Sequence, residues 1–185
     1  TDAVEDYISC LNPGGILSIT TWNHLAPPRN VPKLLTTVID SMRRQGIEEP
    51  GRHLYVFQLI YSTATVLVKK TPFTPEEIEK LKQFTYKMSF ETVYHHGIEP
   101  REDNLKEQLE AYTAKYDRIP ENDVMGDEVS RPMGDLYYHI IDYMLEGREG
   151  EIYDAYLFDI SPATDNRPYF TSYLKPDNIG MFLDK

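Results

Sequence analysis

Residues 11–22, Leu11-Asn12-Pro13-Gly14-Gly15-Ile16-Leu17-Ser18-Ile19-Thr20-Thr21-Trp22, decide the fold class of this chain. The second half of the stretch is rich in β-branched and aromatic residues, which predicts a strand over 16–22. The turn before it contains Pro13, which cannot continue a helix, and two glycines, which adopt positive φ at no steric cost. Residues 2–11 carry apolar side chains at helical spacing and predict a helix. Together these elements form the second half of an αβ unit.

The same alternation continues through the next seventy residues. An apolar stripe predicts a second helix from Val31 to Arg44, and two strands are predicted over 54–60 and 65–68 as an antiparallel pair. Thr74-Pro75-Glu76-Glu77 has the pattern of a capping box with proline at the first helical position. The helix that follows is predicted to carry Ile78, Leu81, Phe84, Thr85 and Met88 on its inner side, and a short strand is predicted over 90–94. Alternating helices and strands indicate an α/β fold with a layered sheet.

Length and composition indicate a globular protein and exclude several other classes. The chain has 185 residues, 41% of them hydrophobic, which fits one globular domain or one domain with an appendage. No apolar run approaches about 18 residues, so no membrane span is predicted, and no signal peptide is visible. The single Cys10 cannot form an internal disulfide and is predicted to be a buried, inert thiol. Because the chain lacks an initiator Met, we expect it to be a piece of a larger protein.

The net charge of −11 argues against nucleic acid as a partner, and it is concentrated in one region. Residues 1–97 carry ten acidic and ten basic residues, whereas residues 98–154 carry sixteen acidic and six basic residues. This shift predicts an acidic helical insertion over 98–154, between an α/β core over 1–97 and a tail over 155–185 that packs on the core. Its acidic surface is either a solvated helical face or a patch that attracts cationic ligands such as polyamines.

Common catalytic motifs do not occur in the sequence. The five histidines lack zinc-ligand spacing, so no metal site is predicted. There is no G-x-S-x-G elbow, P-loop or G-x-G-x-x-G. The pair Gly14-Gly15 precedes a strand rather than a helix and is interpreted as a helix terminator. The sequence alone therefore assigns no catalytic residue.

Candidate binding residues lie at predicted strand ends and in the tail. Trp22 ends a strand, where ligands bind in open α/β sheets, and His24 follows it; packing of Trp22 on a helix is the alternative. Tyr61-Ser62-Thr63 offers three hydroxyls at a turn, or is a plain polar turn. Asp159 and Asp165 lie in a constrained aromatic tail where a carboxylate could bind an ammonium group; Asp165 could instead cap a turn, and Arg167 could pair with either.

Four stretches resemble a known family. Leu11 to Ile19 looks like the L-x-P-G-G-x-L strand entry of class I S-adenosylmethionine-dependent methyltransferases. Residues 65–70 resemble a late strand pair of that fold, residues 72–78 resemble the following helix start, and Asp159 to Phe170 resembles a P-A-T-D-D-R-P-F-F signature. Together they are similar to the C-terminal part of spermidine synthase-like domains of bacterial membrane proteins.

The resemblance implies a partial methyltransferase-like, Rossmann-type α/β sheet that is rich in parallel strands and ends in an antiparallel element. It implies aminopropyl or methyl transfer to an amine-type acceptor in the intact protein, with S-adenosylmethionine or its decarboxylated form as donor. The family's glycine-rich loop and acidic cofactor residue belong to an upstream half, so this chain alone is expected to hold no cofactor and to be inactive. Its share of the site would be a substrate-side wall of Trp22, Tyr61, Ser62, Thr63 and Asp165.

The resemblance also implies a cytoplasmic location at the inner face of the membrane, with flanking membrane spans in the parent protein. The expected partners are the upstream half of the same domain, a small-molecule amine and, through an unpaired sheet edge, a second copy of the chain. The alternative function is a non-catalytic cytoplasmic binding or regulatory module of a membrane protein. In that case the acidic insertion would be its contact surface.

Overall fold

A computed structural model describes residues 2–23, 28–59, 62–116, 132–164, 166 and 173–175. The helices are α1 (Asp2–Cys10), α2 (Asn30–Arg44), α3 (Pro75–Lys87), α4 (Leu105–Tyr116), α5 (Pro132–Leu145) and α6 (Glu149–Ala155), with a short 3-10 helix at Pro50–His53. The strands are β1 (Ile16–Trp22), β2 (Leu54–Leu59), β3 (Thr63–Lys69) and β4 (Glu91–His95). The predicted α/β class is confirmed, and the first strand has the bounds that its sequence predicts.

The four strands form one sheet in the order β1-β3-β2-β4, and each neighbouring pair is antiparallel. The expected parallel-rich sheet is therefore not found in the described part of the chain. The reason lies in the hairpin between β2 and β3, which confirms the predicted antiparallel pair. Helix α2 connects β1 to β2, and these two strands run in the same direction, but the hairpin places β3 between them. Two parallel strands are thus separated by one antiparallel strand.

One face of the sheet, which we call the α2–α5 face, carries the core. Val56 of β2 and Val66 of β3 are opposite each other on this face and are fully buried. Helix α5 lies over β4 and packs against α2, with Tyr138 against Tyr94. The buried cluster includes apolar residues of α5 such as Ile140 and of the tail such as Phe158. The predicted helical insertion therefore supplies part of the common core.

The opposite face, which we call the α3 face, is covered only in part. Helix α3 begins with the predicted capping box at Thr74 and Glu77. The Nζ of buried Lys69 donates to both carboxylate oxygens of Glu77, at 2.7 and 2.6 Å, and so ties the first turn of α3 to β3. Farther along, Phe84 contacts Phe57 of β2. Among the described residues, the β1 side of this face has no such cover, and β1 alternates between exposed and half-buried residues.

The predicted inner side of α3 faces the sheet at Phe84 and Thr85 but is only partly buried. Of its five residues only Thr85 is buried, whereas Phe84 is 45% and Met88 is 49% exposed. The helix lies along β2 and β4, so its apolar side overhangs the sheet instead of facing a full layer. Cys10 also differs from expectation, because it is exposed at the end of α1.

Helix α2 holds the C-terminal tail by side chain to backbone hydrogen bonds. The Lys33 Nζ donates to the carbonyl of Asp159 at 3.2 Å, and the Thr36 hydroxyl donates to the carbonyl of Ile160 at 2.5 Å. The amide of Ala163 donates to the Thr37 hydroxyl at 3.1 Å. All three side chains of α2 are buried. The segment from Asp159 to Ala163 is consequently fixed against the first two turns of α2.

Helix length and hydropathy were also compared with what a membrane span requires. Within the residues that the structure describes, no helix is both long enough and apolar enough to cross a bilayer.

Candidate functional site

The ends of β1 and β2 lie together at one edge of the sheet, next to the start of β3. Trp22 is the cross-strand partner of Thr63. The Asn23 amide donates to the carbonyl of Ser62 at 2.9 Å. Three of the predicted wall residues, Trp22, Ser62 and Thr63, are therefore neighbours. Tyr61, Asp165 and His24 lie outside the described residues, and Thr63 belongs to β3 rather than to the predicted turn.

An apolar patch crosses this end of the sheet on the α3 face. Trp22, Thr63 and Leu59 occupy one row of the register, and we call them the edge patch. Trp22 is 70% exposed and Leu59 is 41% exposed. Within the described residues, Trp22 is therefore not packed closely against a helix. An exposed indole offers its electron-rich face to a cation and its area to an alkyl chain.

A hydrogen-bonded chain of side chains lies behind this edge on the α2–α5 face, and we call it the Asn23 network. The Tyr137 hydroxyl of α5 donates to the Asn23 Oδ1, and the Asn23 Nδ2 donates to the Gln58 Oε1 at 2.8 Å. The Gln58 Nε2 then donates to a carboxylate oxygen of Glu91 at 2.7 Å. Gln58 and Tyr137 are fully buried, and Asn23 is nearly so. The network fixes both amides and holds the half-buried carboxylate at the start of β4.

The Asn23 network was not predicted from the sequence, because its members come from β1, β2, β4 and α5. Its one sequence signal is polar residues within otherwise apolar runs, as at Gln58 in Val56-Phe57-Gln58-Leu59. Trp22 and Glu91 lie on strands separated by three strand spacings, about 14 Å. They also point to opposite faces of the sheet. A small ligand on the edge patch would therefore contact the Trp22 side and not the carboxylate.

A cleft of about 570 Å³ runs along β1 on the α2–α5 face, below α1. Val4 and Tyr7 of α1 line one side, and Leu17 and Ile19 of β1 line the other. Ala163 and Thr164 of the tail also border this cleft, together with Thr20 and Thr21. The tail stretch that resembles the P-A-T-D signature is thus placed beside the last residues of β1.

Asp159 has a structural role in the described part of the tail. Its carboxylate accepts a hydrogen bond from the Ser161 amide at 3.0 Å and another from the Ser161 hydroxyl at 2.5 Å. This is the turn geometry that aspartate adopts by bonding backbone two residues ahead. Both hydrogen bonds use Oδ1 of Asp159, and the hypothesis that this carboxylate binds an ammonium group stays a prediction. Arg167, its proposed partner, lies outside the described residues.

The double glycine has the geometry of a closed turn. The Gly15 amide donates to the Asn12 carbonyl at 2.8 Å, and the Gly15 carbonyl accepts from the Lys70 amide at 3.1 Å. A Cβ on Gly15 would lie 3.0 Å from the Asn12 carbonyl oxygen, which explains the need for glycine there. Both backbone groups are engaged within the fold, so this turn does not fit a cofactor cradle. Among the described residues, no group of acidic, histidine or cysteine side chains could hold a metal ion.

The chain was compared with protein families, with curated proteins and with solved structures. No family, no curated protein and no solved structure matches it. The features that bear on function are therefore the edge patch at the end of β1, the Asn23 network and the sequence motifs that resemble the transferase family.

Proposed function

We propose that this chain is the C-terminal part of a spermidine synthase-like, S-adenosylmethionine-dependent transferase domain. The intact domain would transfer an aminopropyl or methyl group to an amine-type acceptor. This part would supply the acceptor-side wall, while an upstream half would bind the donor. The observation that carries the proposal is the exposed indole of Trp22 beside Thr63 at the end of β1.

The sheet topology supports the proposal. The resemblance implies a terminal antiparallel element, and β3 lies antiparallel between β1 and β2, which run in the same direction. The β1 side of the sheet is exposed along its α3 face. An upstream half would cover this side and extend the sheet beyond β1. In the parent protein we place the domain at the cytoplasmic face of the membrane, between flanking membrane spans.

Each wall residue has a defined task in this proposal. Trp22 would hold the cationic, alkyl part of the acceptor by cation–π attraction and apolar contact. The hydroxyls of Ser62 and Thr63 would orient the amine, which is the main requirement of a transfer that depends on alignment. Tyr61 and Asp165 complete the proposed wall. The donor, S-adenosylmethionine or its decarboxylated form, supplies the electrophilic carbon when bound by the upstream half.

The test uses the fact that Trp22 is the only tryptophan of the chain. Its emission should change saturably when the chain is titrated with putrescine or spermidine, because the amine would lie against the indole. S-adenosylmethionine should produce no binding heat in the micromolar range, because the donor site is not part of the chain.

Non-specific attraction of polyamines to an acidic protein is the main competing effect, and two controls address it. Sodium chloride at matched ionic strength should not reproduce the emission change. Glu107→Gln on the acidic helix α4 should leave the titration unchanged, whereas Thr63→Val should weaken it. The proposal would be contradicted if Glu107→Gln weakened amine binding while the emission of Trp22 stayed constant throughout the titration.

A non-catalytic binding module is the second candidate, and the Asn23 network favours it. The amides of Asn23 and Gln58 donate and accept within the network. These groups are thus engaged in holding strands and α5 together rather than directed at a ligand. In that case the intact protein would bind an amine at the edge patch without transferring a group to it.

A further inference from the structure

Strand β1 forms one edge of the sheet and lacks the features that close such edges. Natural edge strands are protected by charged side chains, proline, bulges or short length. β1 has seven residues, Ile16–Trp22, without a charged residue or proline, and its pairing with β3 continues without interruption. A regular, uncharged edge of this kind is a template for another strand.

The backbone bonds to β3 identify the groups that face outward. The Lys70 amide donates to the Gly15 carbonyl, and the Asn23 amide donates to the Ser62 carbonyl. In an antiparallel pair, the residues that bond to the neighbour alternate along the strand. The odd-numbered residues of β1 therefore bond to β3. Ile16, Ser18, Thr20 and Trp22 direct their amides and carbonyls away from the sheet.

One symmetric register uses every outward group. If two copies of β1 pair antiparallel about a two-fold axis at Ile19, then Ile16 faces Trp22 and Ser18 faces Thr20 of the other copy. Each of these pairs exchanges two hydrogen bonds, so the amides and carbonyls of all four outward residues are satisfied. A two-fold axis at Ser18 or at Thr20 would leave an end residue unpaired.

The same register covers exposed apolar surface. Ile16 is 46% and Trp22 is 70% exposed, and both side chains lie on the α3 face at equal distances from Ile19. Pairing about Ile19 places each Trp22 indole across from Ile16 of the other copy, so the dimer contains two such pairs. Aromatic and β-branched residues are favourable partners across strands.

Charge also favours contact between two copies at this place. The chain carries a net charge of −11, yet residues 7–28 contain no Asp, Glu, Lys or Arg. In the adjacent helix α1, Asp2 and Glu5 lie 3.5 and 3.1 Å from the guanidinium of Arg44. The strands themselves can therefore approach without opposing charges of the same sign, and Asp6 is the remaining acidic residue of α1 and is exposed.

We propose that two copies of this chain form a dimer by antiparallel pairing of their β1 strands about Ile19, which joins the two sheets into one. The dimer does not depend on the proposed transferase function. In an intact transferase domain the upstream half would compete for the same edge.

Cysteine cross-linking tests the register in the full chain with Cys10→Ser as background. Ile19 would face its own copy in a pair without backbone hydrogen bonds, with Cα atoms about 4.5 Å apart. This spacing suits a disulfide, so Ile19→Cys should cross-link under mild oxidation. Leu17→Cys is the matched control, because the two Leu17 positions would be about 13 Å apart along the strands. Equal cross-linking of both variants, or none of Ile19→Cys, would overturn the proposal.

Sedimentation of the unmodified chain provides an independent measurement. We expect a concentration-dependent dimer, with Trp22 emission moving to longer wavelength on dilution as the indole returns to water. Ser18→Lys places a charge on an exposed residue beside the axis and should weaken the dimer roughly tenfold or more. A strictly monomeric chain at high concentration would refute the dimer. Because Trp22 reports on both proposals, the amine titration is carried out at a dilution at which the chain sediments as a monomer, so that dissociation of the dimer does not contribute to the emission change.

Discussion

The two sides of the sheet differ in how they are covered. At the β4 side, α5 lies over one face and α3 over the other, and the pairing with β2 contains a bulge between Val56 and Phe57. At the β1 side, the α3 face is open and the strand is regular. The difference indicates that the β4 side stabilises the fold, whereas the β1 side is available for contacts with other molecules.

The largest expected effect comes from matched isoleucines on the two sides. Ile141 of α5 is fully buried, so Ile141→Ala should lower the free energy of unfolding by about 2–5 kcal/mol through lost burial and a residual cavity. Ile16→Ala on the half-exposed edge should cost less than about 1 kcal/mol. Urea denaturation of both variants measures the difference. Equal losses would show that the β1 side stabilises the fold as much as the β4 side.

A smaller loss of stability is expected when the Asn23 network, which connects the β1 and β4 sides of the sheet, is broken. Gln58→Ala removes the partner of the Asn23 amide and of Glu91, and should cost about 1–3 kcal/mol because the Asn23 group stays buried. Gln83→Ala on the exposed side of α3 is the matched control and should change stability by about 0.5 kcal/mol or less. The same urea measurement applies, and a neutral Gln58→Ala would mean that the network does not hold the strands together.

The smallest effect is a pH dependence on the α5 side. His139 is buried, and its Nε2 has no hydrogen-bond partner among the described residues. Burial lowers the pKa of His139, although the carboxylates of Asp103, Asp135 and Asp142 oppose the shift. The unfolded chain therefore takes up the proton first. Stability should fall as the pH decreases through the ordinary histidine pKa of about 6.5, and level off below the folded pKa.

His139→Phe should remove this part of the pH dependence, because the ring is retained and the titrating group is lost. His96→Gln is the control, since His96 is exposed. Thermal unfolding across the pH range compares the two variants. An identical pH profile for His139→Phe and the unmodified chain would show that His139 titrates alike in the folded and unfolded states.

Features that depend on neighbouring residues in the sequence were predicted well. The strand Ile16–Trp22 and the capping box of Thr74 and Glu77 are set by turn chemistry and by side chains within a few positions. The hairpin of β2 and β3 belongs to the same category. Such local signals do not require knowledge of what packs on the element.

Features that depend on distant residues were predicted poorly. The insertion of β3 between β1 and β2 follows from pairing across the sheet, whereas the sequence predicts the β2–β3 hairpin but not this strand order. The apolar stripe of α3 has helical spacing, but the area that it can bury is set by the width of the sheet beneath it. In the candidate site, Trp22 was found from its position at a strand end, whereas Gln58 and Glu91 become partners only after folding.

The hydrogen bonds between α2 and the tail have a consequence for the synthesis of the chain. Thr36 and Thr37 bond to backbone groups that lie 124 and 126 residues later. A ribosome therefore completes α2 long before it supplies these partners. A truncated product that ends before Asp159 would carry a loosely held α2 and a partly exposed core, and would be recognised by chaperones and proteases. The segment from Asp159 to Ala163 thus completes the hydrogen bonds of α2 only after the residues between them have been made.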